Sequence, residues 1–178
     1  TLVALAVGVA LLLWPAHADP NSSDMNERLK AVSELVGSTD QGALDTLDQL
    51  AGDAERRVAK AAIRALGSRA DEASRLKLEQ IVAKNENGDL RGTAAAELGN
   101  FEKTDHHILT NILLTDKDPE ARAGAAKGLA RLHDSAAVDA IVKALDDSDA
   151  VVRSGAFHAL GKVTGRWFIF NPAASPEA

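Results

Sequence analysis

Residues 118–130 read DPEARAGAAKGLA and residues 149–161 read DAVVRSGAFHALG; overlaid, they agree at the acid, the arginine, the central alanine and the leucine. The same register runs the length of the chain. Its leucines are Leu35, Leu66, Leu98, Leu129 and Leu160, separated by 31, 32, 31 and 31 residues. Seven residues before each stand Arg28, Ala59, Arg91, Arg122 and Arg153, and four before those stand Asp24, Glu55, Asn87, Asp118 and Asp149. Ala31, Ala62, Ala94, Ala125 and Ala156 fill the middle. After the leucine comes Gly67, Gly99, Ala130 or Gly161, the first unit drifting to Val36-Gly37. A period of roughly 20–50 residues marks a stacked array, because one such unit cannot bury its apolar face alone.

Each unit reads as two helices. In the fourth, Asp118 is a good N-cap, Pro119 suits the first turn, and Ala121, Ala125, Leu129 and Leu132 recur at helical spacing. Asp134 then precedes a second apolar stripe of Ala137, Val138, Ile141, Ala144 and Leu145. No segment alternates with period two over strand length. The small residues at the repeat contact let helices approach, so a large side chain at Ala125 or Ala156 is expected to cost about 1–3 kcal/mol.

Asp149-Ala150-Val151-Val152-Arg153 followed by Ala156-Phe157-His158-Ala159-Leu160-Gly161 resembles the short HEAT-like repeats first associated with phycobilin lyases. The match is strong over 118–165, good over 52–100 and weaker over 24–51. The resemblance implies an all-α, right-handed α-solenoid of four to five stacked helix pairs whose second helices line a concave face. The units are 24–53, 54–86, 87–117, 118–148 and a partial 149–165. Such repeats serve many unrelated proteins, so the fold is implied more firmly than a function.

The segment before the repeats is of another kind. Leu2 to Trp14 carries no polar side chain and is followed by Ala16 and Ala18 in a small-x-small arrangement. This reads as a signal peptide over 1–18, cleaved after Ala18, with 19–23 as linker, and predicts a periplasmic or secreted protein without stable membrane insertion after cleavage. The chain has no cysteine, which rules out disulfides, thiolate metal sites and a cysteine nucleophile. With 26 acids against 20 bases and a net charge of −6, nothing draws the molecule to nucleic acid.

Candidate sites are few. Asp24, Arg28, Arg91, Asp118, Arg122, Asp149 and Arg153 read as a structural ladder, the acids pairing with arginines four residues on at the start of each first helix and the arginines bridging to the acid of a neighbouring unit. On the second helices, Asp45, Asp48, Gln49, Arg75, Glu79, Asp139 and Lys143 are the candidate protein-binding surface. His106 and His107 are adjacent, so their rings are expected to diverge, and no histidine precedes a glutamate. The chain therefore lacks the His-Glu dipeptides expected of deoxyhypusine hydroxylase, a HEAT-like enzyme with two irons. No P-loop, dinucleotide fingerprint, nucleophile elbow or zinc-protease helix occurs. No catalytic residue, cofactor or metal is assigned.

Two function classes follow. One is a non-catalytic scaffold or adaptor whose partner is another protein. The other, drawn from the resemblance alone, is an auxiliary lyase-type subunit in tetrapyrrole (bilin) attachment or removal. The tail, residues 166–178, gathers three of the chain's six Phe and Trp in Trp167, Phe168 and Phe170, which are expected to fold back as a cap on the last unit.

Overall fold

The computed structural model describes residues 18–38 and 40–166. The leader read at 1–18, apart from Ala18, and the aromatic residues Trp167, Phe168 and Phe170 lie outside them. The described chain is all helical, in antiparallel pairs: α1 (Met25–Leu35) with α2 (Gln41–Ala51), α3 (Arg56–Ser68) with α4 (Glu72–Lys84), and α5 (Gly88–Leu98) with α6 (His106–Thr115). The fourth pair is α7 (Pro119–Leu132) with α8 (Val138–Lys143), which is bracketed by 3-10 turns at Ser135–Ala137 and Ala144–Asp146. The final α9 (Ala150–Thr164) begins a fifth unit. This is an α-solenoid, and among the described residues no helix is long and apolar enough to cross a membrane.

The starts of the helices are encoded locally. Asp24, Asn87, Asp118 and Asp149 each cap an odd-numbered helix by accepting a backbone N–H two residues on, and Asp40, Asp71 and Asp105 cap even-numbered ones. The periodic leucines then form the spine of the core. Leu66, Leu98 and Leu129 are fully buried, whereas Leu35 and Leu160, in the end units, are only partly so. The gradient is what a stack dictates, since an end unit has one neighbour fewer.

The two rows of helices are not spaced alike. Odd-numbered helices meet backbone to backbone, and even-numbered ones meet one another only sparsely. Gly92 and Gly124 show why: a Cβ on Gly124 would run into the Gly92 carbonyl, and one on Gly92 into that of Glu120. Only glycine permits that approach between α5 and α7. A stack bends toward its more closely spaced row, so the odd row is the inner one. The expectation that the second, even-numbered helices line the concave face is thereby corrected. The linker at 19–23 is also tied down rather than loose, because the Arg28 guanidinium donates to the carbonyls of Ser22 (2.8 Å) and Ser23 (3.2 Å).

Candidate protein-binding face

The ladder arginines find different partners from those expected. Arg28 donates through Nε and Nη2 to Asp53 (2.6 and 3.1 Å), Arg91 to Asp116 (2.8 and 2.6 Å), and Arg122 to Asp147 (2.8 Å each). Each acid lies 25 residues after its arginine and two before the next N-cap position. It accepts that residue's N–H as well, Asp53 from Glu55, Asp116 from Asp118 and Asp147 from Asp149. The third guanidinium nitrogen, Nη1, holds carbonyls of the loop before the helix: Asn85 and Glu86 for Arg91, Asp116 for Arg122, and Asp147 and Ser148 for Arg153. The arginines therefore clamp successive inter-unit loops together. Asp24, Asp118 and Asp149, read as their i, i+4 partners, are helix caps instead.

The clamp's electrostatics follow from its geometry. The hydrogen bond from Arg91, aided by the Asp118 N–H, holds the Asp116 carboxyl below the usual carboxylate range although burial opposes it. Burial acts most strongly on Asp53 and Asp147, pushing their carboxyls upward, yet the hydrogen bonds from Arg28 and Arg122 outweigh it and both are lowered. Unit two lacks both members together, with Ala59 where the arginine would stand and Asn85 in place of the acid. A buried carboxylate without its guanidinium would be costly, and asparagine still accepts the Asn87 N–H at 2.9 Å.

The surface candidates on the even helices are largely occupied with their neighbours. Asp45 accepts from Gln41 (2.9 Å), Asp48 pairs with Lys77 (2.5 Å), and Gln49 donates to Asn21 (2.8 Å). Arg75 is held between Glu72 (2.6 Å) and Glu79. Asp139 and Lys143 are exposed on α8. All seven lie on the outer row and do not converge on a concave surface.

The histidines do not converge either. His106 Nδ1 lies 2.9 Å from Asp134, while the His106 and His107 rings tilt against one another with centroids 4.2 Å apart, closer than diverging neighbours would sit. His133 adopts a left-handed conformation and turns its Nδ1 to the Arg131 carbonyl.

The outer row carries a cavity of about 470 Å³ between α4 and α6, lined by Val82, His107, Ile108 and Asn111 among others, whereas the inner row carries two that adjoin. Between α3, α5 and α7 a cavity of about 230 Å³ is rimmed by Lys60, Arg64, Lys127 and the acids Asp89, Glu97 and Glu120 over a floor that includes Gly92 and Gly124. Beside it, between α7 and α9, a second of about 670 Å³ is lined by Ala123, Ala150, Val151 and Gly155, with Lys127, Ser154 and His158. Val151 is 56% exposed, an apolar side chain left open to solvent.

The model of the family described as HEAT repeats matches residues 15–99 and 107–176. The chain belongs to the HEAT-repeat family. No curated protein matches it. Among solved structures, the crystal structure of an engineered protein is similar, with 21% identity and a TM-score of 0.49 over 83% of this chain and 78% of that one.

Two features of this HEAT-repeat chain escaped the reading of its sequence. The junction acids Asp53, Asp116 and Asp147 are themselves periodic, and a search for acids at constant distance from each arginine would have found them. The inner face was also missed, although it falls on two registers of the same repeat. Nine residues before each leucine stand Asn26, Arg57, Asp89, Glu120 and Val151, and two before it stand Ser33, Arg64, Ala96, Lys127 and His158.

Proposed function

We propose that this HEAT-repeat chain is a non-catalytic protein-binding scaffold or adaptor, exported from the cytoplasm, that holds another protein along the inner face of its odd-numbered helices. The observation that carries the reading is the pair of adjoining cavities on that face. They are open, shallow and built on glycine and alanine, so they suit an extended segment better than an enclosed small molecule. Their rim offers charges of both signs for register. Export to the periplasm or exterior rests on the apolar run at Leu2–Trp14 followed by Ala16 and Ala18. The net charge of −6 speaks against nucleic acid as the partner.

The test is affinity capture from the native extracytoplasmic fraction with three forms of the chain: unaltered, Ser154→Trp on the inner face, and Asp139→Lys on the outer. A partner retained by the outer-face variant and lost by the inner-face one is the expected outcome. Loss on Asp139→Lys alone would move the site to the even row. Recovery of bilin-carrying proteins only, with a shift in visible absorption, would favour the auxiliary lyase-type reading instead.

A further inference from the structure

We infer that the inner face takes an extended acidic peptide with one apolar side chain, its carboxylates over Arg64 and Lys127 and its apolar group beside Val151. This deepens the scaffold reading and rests on it. The register two residues before each leucine, Ser33, Arg64, Ala96, Lys127 and His158, runs across all five odd helices without a single acid, in a chain where acids outnumber bases 26 to 20.

The cations of this line are also available. Elsewhere on the odd helices the cations are largely engaged: Lys60 pairs with Asp89 at 2.6 Å, Arg131 with Glu97 at 3.2 Å, and Arg28, Arg91 and Arg122 serve the loop clamps. Among the described residues, Arg64 and Lys127 have no ion pair, and both are exposed. Both rim the smaller, polar cavity, and Lys127 stands at its junction with the larger, apolar one that Val151 lines. A ligand crossing that junction meets Lys127 and then apolar surface, while two of the acids of the smaller cavity are already paired, Asp89 with Lys60 and Glu97 with Arg131. Arg64 on α3 and Lys127 on α7 are two helices apart, less than the roughly 16–20 Å of ordinary helix separations because α5 and α7 touch at Gly92 and Gly124, so an extended chain of about five residues covers the span.

A peptide fits this arrangement better than a nucleic acid strand. Asp89 and Glu120 stand seven residues earlier on α5 and α7, about 10 Å along the helix from the cationic line. They would repel a uniformly charged phosphate backbone, whereas a peptide places its carboxylates only where cations await.

Random octapeptides displayed on phage, selected on the folded full chain, supply the probe. The winning sequence is synthesised with fluorescein and its affinity read by anisotropy. Enrichment of Asp and Glu around one aliphatic or aromatic residue is expected. The doubly reversed variant Arg64→Glu/Lys127→Glu should weaken binding by about tenfold or more, and Val151→Ser by about threefold, with unchanged circular dichroism. Enrichment of Lys and Arg, or affinity undiminished in the doubly reversed variant, would overturn the acidic partner while leaving a protein-binding scaffold. Tighter binding of a fluorescein-labelled single-stranded oligonucleotide than of the peptide would overturn it too. Failure to enrich any peptide on a folded chain would overturn both readings.

Discussion

Arg122 and Asp147 meet across 25 residues of chain through two parallel hydrogen bonds of 2.8 Å, and Asp147 at the same time accepts the N–H of Asp149, the cap of the next odd helix. One carboxylate thus joins the end of one unit to the start of the next. Paired, bidentate contacts of this kind hold geometry as well as charge. The arrangement recurs at Arg28–Asp53 and Arg91–Asp116, so three junctions are built alike, unit two with its Ala59 and Asn85 being the exception.

Removing one partner should therefore cost more than removing both. Arg122→Ala leaves a mostly buried carboxylate unpaired and is expected to lose about 3 kcal/mol of stability. Adding Asp147→Asn, which reproduces the Ala59 and Asn85 combination of unit two, should restore more than half of that. Urea denaturation of the two variants decides it, and equal losses would show that the guanidinium's carbonyl contact outweighs its ion pair.

The same acids set the response to low pH. The folded Asp116 and Asp147 carboxyls lie below their unfolded values, so their stabilisation is complete above about pH 4 and is lost as pH falls through the lower folded values. Asp116→Asn/Asp147→Asn should lower stability at pH 7 yet flatten its decline between about pH 4 and 2. Thermal midpoints measured across that range would show the two curves converging in acid; parallel curves would contradict the assignment.

Two glycines of the same repeat position should behave oppositely when changed to alanine. Gly124→Ala drives a Cβ into the Gly92 carbonyl and should cost about 1–3 kcal/mol. Gly155, whose added Cβ would make only ordinary contacts, with Ala126 at 3.4 Å and the Ala123 backbone at 3.7 and 3.9 Å, should gain about 0.5–1 kcal/mol from helix propensity. Opposite shifts in thermal midpoint are the signature, and a loss at both sites would mean that α9 sits as close to α7 as α5 does.

The cap expected of Trp167, Phe168 and Phe170 is open to a fluorescence test. Gly165 ends α9 in a left-handed conformation (φ 66°), and the Arg166 carbonyl then lies 3.2 Å from where a Cβ of Gly161 would stand. Trp167, Phe168 and Phe170 follow at once. In a Trp14→Phe chain, where Trp167 is the sole tryptophan, its emission should be blue-shifted and protected from acrylamide. A water-like spectrum would contradict the cap and favour a partner anchor.

What the sequence determined by itself is everything that depends on short range. The period of the leucines, the cap at Asp118 and the burial of Leu66, Leu98 and Leu129 follow from patterns within a few turns of one helix, because caps and apolar stripes act over three or four residues. Two things belong to the tertiary structure alone. The partners of Arg28, Arg91 and Arg122 lie 25 residues away, at a distance set by how one unit stacks on the next, while for Arg28 and Arg122 a nearer acid four residues back offered the same charge. Which row faces inward was likewise undecided by periodicity, since both rows carry an apolar stripe. It was settled by the meeting of Gly92 and Gly124, where two backbones touch and draw the odd helices together.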